Sequence, residues 1–164
     1  SRTRRRLTVS MRESLDAQLV VALCRDGRAD VRDLAAATDE APTTVQKRLQ
    51  ALEERGIIEG YAATIDYSQF GYETVLFRLA VELGTIDDVT ARLRDRRSFV
   101  TVYQMSDTDT VFAVGKFGTE TAMTSCLSEL HDDTDVRQVE TDRVRSVPLE
   151  RGSPLVDGYN NHRE

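Results

Sequence analysis

The sequence predicts an α+β fold in two consecutive modules: three short helices, then a β-α-β-β-α-β run. Three observations carry that expectation. Between residues 15 and 55, apolar side chains recur at helical spacing between residues suited to starting and stopping helices. From residue 74 the apolar spacing drops to two, as in half-buried strands. Two further helical stretches then interrupt the alternation. With 164 residues, 40% of them hydrophobic and 30% charged, the chain has the composition of a globular protein with a real core.

In the first helix, predicted over residues 15–25, Asp16 stands at the start, Leu19 and Leu23 share a face, and Gly27 follows the end. Asp30 caps the short second helix. Asp33 occupies the capping-box place three residues on, and Val31, Leu34 and Ala35 form the inward stripe. Pro42 suits the first turn of a third helix and Gly56 its end. There Val45, Leu49 and Leu52 fall at i, i+4 and i+7 and turn inward, leaving Thr43, Thr44, Gln46, Lys47 and Gln50 outside. This outer face is polar and carries no acid before Glu53. Over residues 57–66 the period changes, with Ile58, Tyr61, Ala63 and Ile65 alternating as a strand or wing leaving the helices. Phe70 and Gly71 mark a hinge within residues 67–73.

The second module, residues 74–148, opens with a strand over 74–83. Val75, Phe77, Leu79, Val81 and Leu83 lie on one face, and Leu76 and Ala80 on the other. Thr85 and Asp88 have the spacing of a second capping box, opening a helix with Ile86, Val89 and Leu93 inward and its end near Arg97. Residues 99–105 and 110–117 form a hairpin across the polar turn Ser106, Asp107, Thr108 and Asp109. A helix over 119–131 carries Met123, Cys126, Leu127 and Leu130 at helical spacing, and a polar strand over 136–147 completes the run. This order fits a ferredoxin-like sandwich: a four-stranded antiparallel sheet with both helices on one face. The apolar residues of the other face then need a cover, which a second subunit supplies. Residues 149–164 read as a loosely held tail.

Charge is unevenly placed. Residues 1–60 carry 11 basic and 10 acidic side chains, net +1, whereas residues 61–164 carry 11 and 18, net −7. Only the first part tolerates a polyanion. Ahead of its helices, residues 1–11 form a basic arm with Arg2, Arg4, Arg5 and Arg6, a type of segment that reaches nucleic-acid phosphates or a minor groove. Twenty Arg against two Lys, with abundant Asp, fit a GC-rich genome or a salt-rich cytoplasm such as that of a halophilic archaeon. The longest apolar run, residues 19–24, is too short to span a bilayer, so a soluble cytoplasmic protein without membrane contact is expected. Cys24 and Cys126 have no close-spaced partner and read as small buried hydrophobes. No phosphate loop, zinc motif or nucleophile elbow is present, so no catalytic residue, metal ligand or cofactor is expected. His131, near a helix end beside Asp132, Asp133 and Asp135, reads as a favourable charge at the helix C-terminus; His162 lies in the tail.

Taken in order, these features resemble the Lrp/AsnC (feast/famine) family of transcription regulators across about residues 12–148. The carrying residues are Asp16 with Leu19 and Leu23 before Asp26-Gly27-Arg28, then Leu34-Ala35, Val45 through Arg48 to Leu52-Glu53, and Gly56-Ile57-Ile58 with Gly60-Tyr61. The resemblance implies a winged helix-turn-helix over residues 12–66, whose third helix enters the major groove of duplex DNA. Gln46 and Gln50 suit base edges, the Thr43 and Thr44 methyls suit thymine, and Lys47 and Arg48 suit phosphate or guanine. Ala41 replaces the serine that caps this helix in the family, which leaves Asp39 or Thr43 as the cap. The resemblance also implies that residues 74–148 dimerise through the sheet, with tetramers or octamers of stacked dimers and an amino-acid effector between dimers. The matching effector loop is Ser106, Asp107, Thr108 and Asp109, where Asp109 fits the family's aspartate and suits an amino group. Two alternatives share part of this architecture: a sirohaem-decarboxylase-like tetrapyrrole enzyme, and a ligand sensor without DNA contact.

Overall fold

The computed structural model describes residues 14–106 and 108–155, which form two compact units, one of residues 14–64 with 150–155 and one within residues 65–149. The arm with Arg2, Arg4, Arg5 and Arg6, Asp107 and His162 lie outside the described residues. The first unit holds α1 (Leu15–Arg25), α2 (Val31–Thr38) and α3 (Pro42–Glu54). Leu19, Leu34, Ala35, Val45 and Leu52 form its buried core, with Leu23, Val31, Leu49 and Ile58 packed around them. The predicted stripes therefore all face inward.

The local chemistry differs from expectation in several places. Ser14, not Asp16, caps α1, its hydroxyl accepting from the Ala17 amide at 3.3 Å. The Asp30–Asp33 capping box forms as expected, with reciprocal bonds of 2.9 and 3.1 Å. Neither Asp39 nor Thr43 caps α3: Ala41 holds that position without a side-chain bond, and Asp39 instead ends α2 in the left-handed conformation, φ 55°. Asp tolerates that conformation better than most residues, so Asp39 turns the chain out of α2 into the three-residue link to α3. Cys24 is exposed, one residue beyond the inward Leu23. Residues 57–66 form no strand, because no described segment lies alongside to accept a ladder; Ile57, Tyr61 and Ile65 stay exposed.

A 3₁₀ turn (Tyr67–Phe70) opens the second unit, closed by Gly71 at φ 77°. Then follow β1 (Glu73–Val81), α4 (Ile86–Arg94), β2 (Phe99–Gln104), β3 (Thr110–Phe117), α5 (Glu120–Asp132) and β4 (Val136–Arg143). The sheet is antiparallel in the order β2-β3-β1-β4, the ferredoxin-like arrangement. β1 ends at Val81, so Leu83, expected on the buried face, is 86% exposed in the turn before Gly84. Thr85 makes no capping box; its hydroxyl donates to the Glu82 carbonyl at 2.7 Å, and α4 ends at Arg94 rather than near Arg97.

The core lies on the helix-covered face. Val75, Phe77, Leu79, Val81, Val111, Ala113 and Phe117 point from the sheet at Val89 and Leu93 of α4 and Met123, Cys126 and Leu130 of α5. Phe77, Phe99 and Phe117, one from each of three strands, pack edge-on or tilted with centroids 5.1 to 6.4 Å apart. Gly115 sits beneath them. A Cβ there would meet Phe117 at 2.6 Å and Phe77 at 3.1 Å. Ion pairs fasten the helices: Arg92 of α4 reaches Asp133 and Asp135, each at 2.9 Å, and Arg96 pairs with Glu129 of α5. Replacing Gly115 by Ala forces the aromatic cluster apart and is expected to cost about 1–3 kcal/mol, read by urea unfolding.

Candidate nucleic-acid interface

The inward stripe of α3 fixes what remains outside. Val45 and Leu52 are fully buried, while Thr43, Gln46, Lys47 and Gln50 are exposed and Thr44 is half-buried. The polar residues therefore share one accessible helix surface. Its two ends differ. Toward the N-terminus, Thr43, Gln46 and Lys47 are free of acids, and the positive end of the helix dipole lies beside them. Toward the C-terminus the Gln50 amide donates to Glu54 at 3.1 Å, and Tyr61 donates its hydroxyl to Glu53 at 2.9 Å. Burial, and then the Glu53 carboxylate, push the Tyr61 phenol above its ordinary value, keeping it a donor.

Arg48 shares the outer surface by position, but its guanidinium is already engaged. Its Nε and Nη2 donate to the two carboxylate oxygens of Asp16 at 2.8 and 2.7 Å, tying α3 to α1 across 32 residues. The partners are unequally hidden, with the Asp16 side chain 12% exposed and that of Arg48 48% exposed. A bidentate pair of this kind orients both helices as well as neutralising the acid. The role of Asp16 escaped sequence reasoning, which took it as a helix-start residue; its place three residues before buried Leu19 was the available signal. Arg28 and Arg32 were also missed. Both are exposed, in the turn before α2 and in its first turn, and neither enters an ion pair among the described residues.

In the second unit, the turn 106–109 joins β2 to β3. The Asp109 carbonyl accepts from the Val81 amide at 2.9 Å, anchoring the turn to the end of β1. Ser106 has no positive φ, so its side chain is accommodated without backbone strain. The uncovered sheet face presents Leu76, Phe112 and Val114, half-buried, with Tyr103 58% exposed beside them. Register places Arg78 between Phe112 and Glu140 on the same face. Among the described residues, no group of acidic, His and Cys side chains is arranged to hold a metal ion, and no helix is long and apolar enough to cross a membrane.

A helix-turn-helix with an exposed polar third helix, followed by a ferredoxin-like sandwich, defines the class: helix-turn-helix proteins with an appended ferredoxin-like module. The more particular assignment follows from likeness to known proteins. Residues 14–53 match the AsnC-type helix-turn-helix domain. The chain is 30% identical over 93 residues to the HTH-type transcriptional regulator FL11 of Pyrococcus horikoshii, covering 56% of this chain and 62% of that relative. It is 27% identical over 131 residues to the HTH-type transcriptional regulator LrpA of Mycobacterium tuberculosis, covering 79% and 87%. A transcriptional regulator of Neisseria meningitidis, solved as its complex with L-Met, superposes with a TM-score of 0.76 at 17% identity, covering 85% of this chain and 93% of that one. The chain thus carries an AsnC-type helix-turn-helix domain, is similar to HTH-type transcriptional regulators, and spans about three fifths of the length of the FL11 relative.

The asymmetry of the Asp16–Arg48 pair predicts unequal mutants. Arg48→Ala strands a nearly buried carboxylate and is expected to cost about 2–3 kcal/mol, whereas Asp16→Asn leaves a guanidinium that water reaches and costs less. Amide hydrogen exchange in α1 and α3 of the full chain measures both.

Proposed function

We propose that this chain regulates transcription in the cytoplasm by laying the N-terminal half of α3 in the major groove, each dimer reading two half-sites about one helical turn, ~34 Å, apart. The observation that carries this is the exposure of Thr43, Gln46 and Lys47 on an AsnC-type third helix whose opposite side is buried. Gln46 reads a base edge, the Thr43 and Thr44 methyls meet thymine, and Lys47 neutralises phosphate. Arg48 acts first as the brace to Asp16, with its exposed part turned to the backbone. Gln50, held by Glu54, lies nearer the acidic end and contributes less. Arg28 and Arg32 add backbone contacts, and Arg2, Arg4, Arg5 and Arg6 extend them. With so few cations, affinity depends on shape and base contacts more than on counterion release.

The uncovered sheet face pairs with that of a second copy, burying Leu76, Phe112 and Val114. An amino acid is the effector, its amino group held by Asp109 within the turn of Ser106, Asp107, Thr108 and Asp109. The methionine complex of the Neisseria relative supports that ligand class. Such a ligand changes DNA affinity only by binding one assembly more tightly than another.

Two variants test the reading helix in gel-shift or anisotropy titrations against the protein's own upstream region. Lys47→Ala is expected to weaken every sequence alike and flatten the salt dependence. Gln46→Ala is expected to lose discrimination worth about 1–3 kcal/mol at one base pair. Identical behaviour of both variants overturns the assigned roles. Deleting residues 1–6 is expected to lower affinity and reduce the salt slope, and unchanged binding at low salt removes the arm from the interface.

A further inference from the structure

The sheet has two edges, and they are built differently. β4 carries Arg137, Glu140, Asp142 and Arg143 along eight residues, the charged character by which natural sheets keep an edge from pairing. β2, residues Phe99–Gln104, carries no charge at all. Its backbone is correspondingly available. The Met105 amide bonds to the Thr110 carbonyl at 3.0 Å, so antiparallel alternation turns Tyr103 and Thr101 to β3. Val102 and Gln104 therefore direct their N–H and C=O groups at the open edge. Val100, Tyr103 and Met105 are 53%, 58% and 45% exposed.

Alongside this edge runs a groove of about 450 Å³ between β2 and α4. Asp87, Thr90, Ala91 and Arg94 form its helix side, at i, i+3, i+4 and i+7 on α4. Gln104 donates to Asp87 at 2.8 Å and to Thr90 at 3.0 Å, which places Asp87 at the Gln104 end of the strand. Arg94 stands at the other end, beside Phe99 and Val100, and enters no ion pair among the described residues. The groove is thus negative at one end and positive at the other, with the small Ala91 between them.

We propose that β2 pairs antiparallel with β2 of a second copy about a two-fold axis near Val102, joining two sheets edge to edge. Antiparallel pairing sets Gln104 of one copy against Val100 of the other. It brings Asp87 of each α4 to Arg94 of the partner's α4, with the small Ala91 residues allowing the two helices to lie close. The pattern is self-complementary only in this antiparallel sense, because parallel pairing would set like charges together. The occupant is accordingly a second copy of this chain. This contact uses the sheet edge and leaves the uncovered sheet face free, so it does not rest on the face pairing proposed above; the two together extend dimers into larger assemblies.

Sedimentation velocity on the full chain tests the edge. Arg94→Asp is expected to halve the weight-average mass, and the double variant Asp87→Arg with Arg94→Asp to restore it, which a merely misfolded protein would not do. Leu76→Arg, on the sheet face, is expected to lower the mass by a route that the charge exchange does not rescue. A wild-type chain no larger than its R94D variant overturns the proposal, as does a double variant that stays at the R94D mass. Loss of assembly by L76R alone, with both charge variants unaffected, leaves face pairing standing and the edge contact refuted.

Discussion

A four-stranded sheet has two faces and two edges, and the two helices of this chain cover one face. That single deficit organises the second unit. The covered face takes the strict alternation of β3 and the buried residues of β1, and it sets Phe77, Phe99 and Phe117 over a glycine because no other residue leaves room. The other face keeps apolar residues half in water, a costly arrangement for an isolated molecule and an ordinary one for a subunit. β4 carries charge where β2 carries none, so the edges inherit the same division between surfaces kept apart and surfaces offered.

The first unit meets a different constraint. A helix that addresses a polyanion needs a polar, acid-free surface, yet three short helices bury few residues and need help to hold their angles. The Asp16–Arg48 pair meets the second need at some expense to the first, since one of two cations on α3 is tied to a carboxylate. What remains on the exposed side of α3 ahead of Glu53 is a short stretch of neutral polar residues and one unpaired lysine among the described residues. Glu53 and Glu54 mark where that stretch stops, and Tyr61 and Gln50 hold their carboxylates in place.

Much of this was legible in the sequence because periodicity reports burial directly. The stripes of α1, α2 and α3, the Asp30–Asp33 box, the hairpin and the strand order of the sandwich all follow from spacing. The failures have a common physical origin: a residue type was matched to a local role that a distant partner had already taken, or for which no partner existed. Asp16 looked like a helix-start residue and is the counterion of Arg48. Thr85 looked like a capping-box residue and bonds backward to Glu82. Residues 57–66 had strand alternation but no neighbour to pair with, and Leu83 continued the β1 pattern past the point where the ladder ends. The exposed polar residues of α3 were legible from what the core excludes, whereas Arg28 and Arg32, which belong to no periodic pattern, left no such trace.

The order of strands across the sheet also sets an order in time. β1 lies at the centre, and its Val75 pairs with Arg143 near the end of the chain. The sandwich cannot close until nearly all of its sequence is available, and such distant contacts form slowly. The three helices of the first unit rely on neighbours within about forty residues and are synthesised first. During translation the three-helix unit is thus complete while the sandwich is still unfinished, and the uncovered sheet face exists only once the last strand has left the ribosome.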